Sequence, residues 1–441
     1  MGFDPQLHAR RREAVASAMR RQGGGVMLLP AADERLRNAD NEYVFRQDSD
    51  FLYVTGLEEP QGCALLFAGE EGAAPRLVLF VRPRDRQREI WTGFRTGVEG
   101  ALATYGAAEA YPVEELDRRL PELLDGIGAL WFRVGHDAEW DGRVARALRE
   151  LRGRARQGAH APERIIDPAA VVHEQRLSKS PEELALLRKA AEITAEAHLG
   201  AMRDGLPGRR EFQVQAEIEY AFRRRGGNGP GYGTIVAAGA NSCILHYRAG
   251  DALLREGDVC LVDAGGEYGW YTADVTRTFP VSGSFSPAQR ALYEVVLEAQ
   301  KAAVDAVRPG ATIDGLHELT VKRLTEGMIA LGLLAGTAEE RIADQSYRKY
   351  YMHRTSHFLG LDVHDAGDYY PGRKSRALAP GMVITVEPGL YVAADDASAP
   401  EGLRGVGVRI EDDVLVTAEG REVLTEAVPK EVRDVEACCT R

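Results

Sequence analysis

The sequence predicts an α/β (α+β) chain of two domains: an N-terminal α/β domain, then a C-terminal domain whose mixed sheet is covered by helices. Three observations carry that prediction. Short apolar runs bounded by Gly and Pro alternate with longer helical stretches through the first third of the chain. A helix-start signature near residue 180 closes one element and opens another. Beyond it, four apolar or aromatic runs each lead to a carboxylate, at Asp263, Asp274, Glu387 and Glu411, with helical stretches between them. At 441 residues two domains are the natural expectation, each large enough to bury its own core.

Taken in order, residues 6–21 read as an Arg-rich helix. Gly23-Gly24-Gly25 turns into a short buried strand at Val26–Leu29, stopped by Pro30. Phe51–Thr55, Cys63–Phe67 and Leu77–Val81 are the next strand candidates, and helices are expected around 113–125 and 139–152. Ser180 then stands as an N-cap, with Pro181 at the first helical position and Glu183 three residues on, a capping box. The boundary is therefore expected near 173–180, dividing 1–175 from 176–441. The capped helix runs to about Arg203, and helices near 209–225, 286–307 and 312–331 interleave with the carboxylate-ended strands.

The stretch Tyr351–Asp365 concentrates His353, His357 and His364, three of the ten histidines, with Asp362 and Asp365. No Glu follows His353 where a zinc-protease helix requires one, so that motif is set aside. Gly360 and the alternation Leu361-Asp362-Val363-His364 predict a loop running into a short strand. Asp263 ends the run Asp258–Val262, and Asp274 follows the turn Ala264–Gly269 and the segment Trp270–Ala273. That reads as a hairpin whose two strands each offer an Asp near the same end. Glu387 ends Met382–Val386, which Pro388-Gly389 stops, and Glu411 ends Val406–Ile410. One such carboxylate is ordinarily a salt-bridged or edge group. Four beside a His cluster point to a shared cation site, because burying an unpaired charge is costly.

Four carboxylates and one imidazole neutralise two divalent cations, with a bridging hydroxide as the remaining ligand. Oxygen-rich ligation with a single nitrogen favours Mn, Co or Fe over a lone structural zinc. Such a pair generates a nucleophilic hydroxide and polarises a carbonyl, so the chemistry implied is metal-assisted hydrolysis. Cys63, Cys243, Cys260, Cys438 and Cys439 are odd in number and lack CxxC spacing, which indicates neither a disulfide framework nor a thiolate site. They fit a reducing cytoplasm.

The ordered set Asp263, Asp274, His357, Glu387, Glu411 resembles the dinuclear pita-bread metallopeptidases, which include methionine aminopeptidase, prolidase and aminopeptidase P. The blocks Ser356–Asp365, Val386–Tyr391 and Gly407–Asp412 look most like aminopeptidase P. In the first half, Phe45–Phe51 and Arg82–Trp91 resemble the N-terminal domain of that family. Arg354 departs from the pattern, since many relatives carry Gly after the first His. The resemblance implies a curved, mostly antiparallel pita-bread sheet, with those five residues holding two divalent ions, most simply Mn²⁺. It implies release of the N-terminal residue from peptides with proline in second place. It further implies a homotetramer, with the N-terminal domain serving oligomerisation and substrate access.

His246 follows a Gly-rich loop, Gly226 to Gly239, which lets backbone approach a ligand but lacks the phosphate-cradle pattern. A lone strand histidine is ordinarily structural; the resemblance makes His246 a substrate contact. Arg409 lies two residues before Glu411, on one face of its strand, where it could pair with a carboxylate or position substrate. Tyr391 and Trp91 read as core aromatics. The resemblance makes Tyr391 a pocket wall and lets Trp91 reach a neighbouring subunit's site. In the implied mechanism His364 and His246 donate hydrogen bonds to substrate, His353 lines the proline pocket, and Glu387 shuttles a proton to the leaving nitrogen. His8, His136, His160, His173, His198 and His317 belong to no motif and read as structural or surface.

A net charge of −12 disfavours non-specific nucleic-acid binding and gives no reason to expect affinity for anionic membranes. No apolar run approaches membrane-spanning length, and the N-terminal segment lacks the apolar core of an export signal. Two rivals share these residues. A prolidase-like dipeptidase would need a cationic group to fix the dipeptide's carboxylate. A non-catalytic binding protein on the same scaffold tends to lose ligands, and all five candidates stand here. No G-x-S-x-G elbow supports a serine hydrolase.

Overall fold

A computed structural model describes residues 4–440, which divide into two compact units meeting in sequence between Gln175 and Arg176. The first unit is built on a six-stranded mixed sheet. Its order is Glu109–Pro112, Arg76–Val81, Cys63–Phe67, Val26–Pro30, Ala129–Trp131 and Arg164–Ile166. The three middle strands pair antiparallel and the outer ones add in parallel. Cys63–Phe67 is buried along its whole length, which is why it reads as a continuous apolar run rather than an alternating one.

One expected strand is a helix. Ser49–Thr55 is helical, although Phe, Tyr, Val and Thr favour strands. Asp48 caps it by accepting the Phe51 N–H at 2.8 Å, and Gly56 ends it in the left-handed region at φ 71°. The two local caps outweigh side-chain propensity.

The second unit opens with the helix Pro181–Asp204, started by the Ser180–Glu183 capping box. The helices Glu211–Arg224, Pro287–Ala306 and Ile313–Ala330 follow. Their buried faces join one apolar core with the strands Val259–Asp263 and Val406–Arg409. The strand pairs of this unit are antiparallel, and the mixed α/β class of the whole chain is the expected one.

Two local elements differ from expectation. Asp263 does end a strand, but that strand pairs with Thr276–Pro280, in the register Asp263↔Thr276, rather than with residues 270–273. The residues between form a second small hairpin, Gly266–Tyr268 with Tyr271–Thr272. Gly265 makes the double turn feasible, because a Cβ there would stand 1.7 Å from the Ala273 carbonyl oxygen. The strand expected after Gly360 is absent: residues 361–364 are bends. Asp365 folds that segment back, its N–H bonded to the Phe358 carbonyl and its carboxylate to Lys179 Nζ at 2.9 Å and Arg176 Nη2 at 2.5 Å. Gly360 leaves room for this carboxylate, which a Cβ would meet at 2.2 Å. Among the described residues no helix is long and apolar enough to cross a membrane, and all five cysteines are free thiols.

Candidate metal centre

A cavity of about 790 Å³ in the second unit is lined by Asp263, Asp274, His357, Glu387 and Glu411, together with His246, His353, His364 and Arg409. Residues far apart along the chain meet there because antiparallel pairing brings their strand ends to one place. Asp263 and Thr276 are opposite partners. The Glu411 N–H donates to the Thr276 carbonyl at 3.0 Å, and the Thr276 hydroxyl donates to Glu411 Oε2 at 2.6 Å. The segment with His357 runs alongside the strand Val383–Val386, and the Glu387 N–H donates to the Thr355 carbonyl at 2.8 Å.

Asp274, His357 and Glu411 each offer a ligand atom, and these lie within 4.8 Å of one another. His357 Nε2 is 3.4 Å from Asp274 Oδ2 and 3.7 Å from Glu387 Oε1. His357 Nδ1 lies 3.0 Å from the Phe358 carbonyl, to which it donates. That bond fixes the proton on Nδ1 and turns Nε2 towards the carboxylates, so a bound metal would have to displace only the Nε2 proton that Asp274 otherwise holds.

The electrostatics agree. Burial raises the Glu411 carboxyl well above the carboxylate range, and Asp274, Glu387 and Asp263 add to the rise. Burial also raises Asp263, and lifts Glu387 to about 7. The His357 ring is pushed up to about 9: burial opposes this, but its bond to Asp274 prevails. Four acids share the cavity with one deeply buried guanidinium, that of Arg409. Repulsion among the carboxylates is what a bound cation would relieve, so the donor set fits divalent metal.

Arg409 joins two parts of the site. Its Nη2 bonds Asp263 Oδ2 at 2.5 Å, its Nε bonds Thr276 Oγ1 at 3.0 Å, and its Nη1 donates to the Tyr391 hydroxyl at 3.1 Å. Tyr391 Oη is 2.9 Å from His353 Nε2, and His353 Nδ1 is 2.8 Å from the Arg354 carbonyl. A carbonyl can only accept, so Nδ1 carries the proton and Nε2 accepts from Tyr391. Burial holds His353 neutral, down to about 3. His246 sits in a turn after Gly239–Cys243, not on a strand as expected, and is exposed to the cavity like His364. The His364 ring packs edge-on against His357, with centroids 4.4 Å apart.

Trp91 belongs to the first unit and lines no part of this cavity. It is 87% exposed, not a core aromatic, whereas Tyr391 is buried. Three further supports of the site lie outside the motifs legible in the sequence. Tyr232, from the Gly-rich loop, donates to Asp263 Oδ1 at 2.7 Å. Asp413 Oδ2 accepts the Asp274 N–H at 3.1 Å. Arg277 and Asp412, both wholly buried, fix the backbone at Glu411. Of these only the adjacent acids Asp412-Asp413, following Glu411 into a buried strand, left a mark in the sequence.

A model of metallopeptidase family M24 matches residues 185–418, and a model of the aminopeptidase P N-terminal domain matches residues 8–131. The chain belongs to metallopeptidase family M24. The Xaa-Pro aminopeptidase of Escherichia coli strain K12 is 45% identical over 98% of this chain and 97% of its own. Mouse Xaa-Pro aminopeptidase 3 is 37% identical over 91% of this chain and 78% of its own. Among solved structures, Pseudomonas aeruginosa aminopeptidase PepP superposes with a TM-score of 0.95 at 46% identity, covering 99% of this chain and 98% of that one. A substrate complex of an E. coli aminopeptidase P variant gives 0.95 at 44% identity, covering 100% and 99%. The second unit accordingly carries the pita-bread fold of family M24, and the chain is a metallopeptidase.

Proposed function

We propose that this M24 chain is a metal-dependent exopeptidase that releases the first residue of peptides with proline in second place. The observation that carries the reading is the clustering of Asp274, His357 and Glu411 beside Asp263 and Glu387 in one cavity. The relatives that match over nearly the whole chain bear the name Xaa-Pro aminopeptidase, and the first unit matches the N-terminal domain of that family.

The five residues Asp263, Asp274, His357, Glu387 and Glu411 would hold two divalent ions, and their oxygen-rich set suits Mn²⁺. Ions bound there would supply an activated water and polarise the scissile carbonyl. The carboxylates draw the free amine of a peptide inward, which restricts the enzyme to chain ends. Glu387 carries a proton towards the leaving nitrogen. His246 and His364, exposed on the wall, donate hydrogen bonds to substrate. His353 presents a neutral face to the proline ring, its Nε2 lone pair occupied by the hydroxyl of Tyr391, which is buried. An imide has no N–H, so this wall leaves nothing of the substrate unpaired. Arg409 holds Asp263 and Tyr391 in place.

The same reading makes the first unit, with exposed Trp91, the region of subunit contact and substrate access in a cytoplasmic homotetramer. Comparing release of the first residue from Xaa-Pro-Xaa and Xaa-Ala-Xaa peptides, with and without added manganese, tests the proposal. Equal rates on the two series would remove proline selectivity. Cleavage of Xaa-Pro dipeptides alone would favour the prolidase-like alternative, and a purified protein with neither bound metal nor peptidase activity would favour the binding-protein one.

A further inference from the structure

The side chains of two arginines on the cavity wall take no part in the site described above. Arg248 lines the cavity and is exposed, and among the described residues its guanidinium has no hydrogen-bond or ion-pair partner. Arg354, the residue that departs from the family pattern, also lines the cavity, and half of its side chain is exposed (53%). Its Nη2 pairs with Asp314, at the start of the helix Ile313–Ala330, and meets the Tyr370 hydroxyl at 3.4 Å. Tyr370 in turn donates to Asp314 Oδ1 at 2.9 Å. The guanidinium is thus anchored from one side, while Nε and Nη1 make no bond among the described residues.

We infer that Arg248 and Arg354 recognise a carboxylate on the part of the substrate that follows the proline. This rests on the exopeptidase reading and deepens it. The interior of the cavity holds four acids, so a peptide's amine end enters and any carboxylate it carries is kept towards solvent. Both arginines are on the solvent-exposed part of the wall, where the outgoing chain passes. A guanidinium offers several N–H groups in a fixed plane matched to a carboxylate, and Arg354 is already oriented by Asp314, so little further ordering is needed. The carboxylate could be the C-terminus of a short peptide or an acidic side chain. The chemistry is the same.

The test uses the manganese-loaded full chain and three peptides: Xaa-Pro-Ala as the free acid, the same peptide amidated, and an amidated Xaa-Pro-Ala-Glu. The free acid is expected to show a KM roughly five- to tenfold below that of its amide, a gap that narrows at high salt because the pairs are exposed. A low KM for the Glu peptide shows that a side-chain carboxylate serves as well; a KM like that of the amide shows that the site reads the C-terminus. In Arg248→Gln/Arg354→Gln the acid-to-amide ratio should fall to about one. The readout is this ratio, and the wild-type comparison stands without any variant. Equal KM for acid and amide in the wild type, or a ratio that survives in the double variant, overturns the inference. Release from none of the peptides overturns the exopeptidase reading, and this one with it.

Discussion

Arg277 Nη2 lies 2.7 Å from Asp412 Oδ1, and neither side chain is reached by solvent. The same guanidinium donates from Nη1 to the carbonyls of Thr276 and Glu411, and from Nε to that of Pro429. Asp412 also accepts from Gln300, Lys430 and Thr425. A charge pair thus ties together the strand that follows Asp274 and the one that follows Glu411. Removing Arg277 leaves the buried carbonyls it binds without that donor and Asp412 with Lys430 as its one remaining cation among the described residues, so Arg277→Met should cost about 3–5 kcal/mol of stability. Urea unfolding measures this. Arg277→Lys should rescue little, because an ammonium cannot reach the same set of carbonyls from one plane.

Stripping metal should be felt in stability as well as turnover. Without cations the cavity keeps mutually repelling acids, and burial holds Glu411 and Glu387 above the normal carboxylate range. Chelation followed by dialysis should abolish peptidase activity and lower the melting temperature by several degrees, with recovery on adding manganese. Asp274→Asn should lose bound metal by elemental analysis and lower kcat/KM by roughly a thousandfold or more. Stoichiometric metal in an active Asp274→Asn protein would sink the ligand assignment.

Tyr391→Phe should uncouple two residues at once. The hydroxyl accepts from Arg409 and donates to His353, so its loss leaves a buried donor and a buried acceptor unpaired. A fall in kcat/KM of roughly tenfold on Xaa-Pro peptides is expected, with the fold retained by circular dichroism. An unchanged kcat/KM would remove Tyr391 from the site.

Two buried histidines should each withdraw stability as pH is lowered from neutrality, against the buried carboxyls of the cavity, whose raised pKa acts in the opposite sense in the metal-free protein. His198, buried and bonded through Nε2 to the Ala264 carbonyl, is held down to about 4, and so is His8; burial is the main cause in both. Above pH 6.5 these rings are neutral whether folded or not. Between 6.5 and about 4 the unfolded chain binds protons that the folded chain refuses, so unfolding becomes easier across that window. Below it both states are protonated and the loss stops. The change is about 3 kcal/mol per ring. Urea unfolding at pH 5 and pH 7 measures it, and His198→Leu should reduce the slope by about 1 kcal/mol per pH unit near pH 5.5.

The amino-acid order alone determined which side chains could ligate metal. An unpaired carboxylate is costly in the middle of a buried apolar strand, so Asp263, Glu387 and Glu411 mark strand ends visibly. Helix starts are equally local, and Ser180 with Glu183 announces its helix within four residues. The three-dimensional fold decided what depends on distant partners. The strand of Asp263 chose Thr276–Pro280 because a small hairpin folded in between, and residues 361–364 lost their strand to Asp365, which Lys179 and Arg176 hold. The bonds of Arg409 to Asp263 and Tyr391, and of Arg277 to Asp412, join residues far apart in the chain. Such bonds form only once the core has closed and removed water, so no local pattern records them.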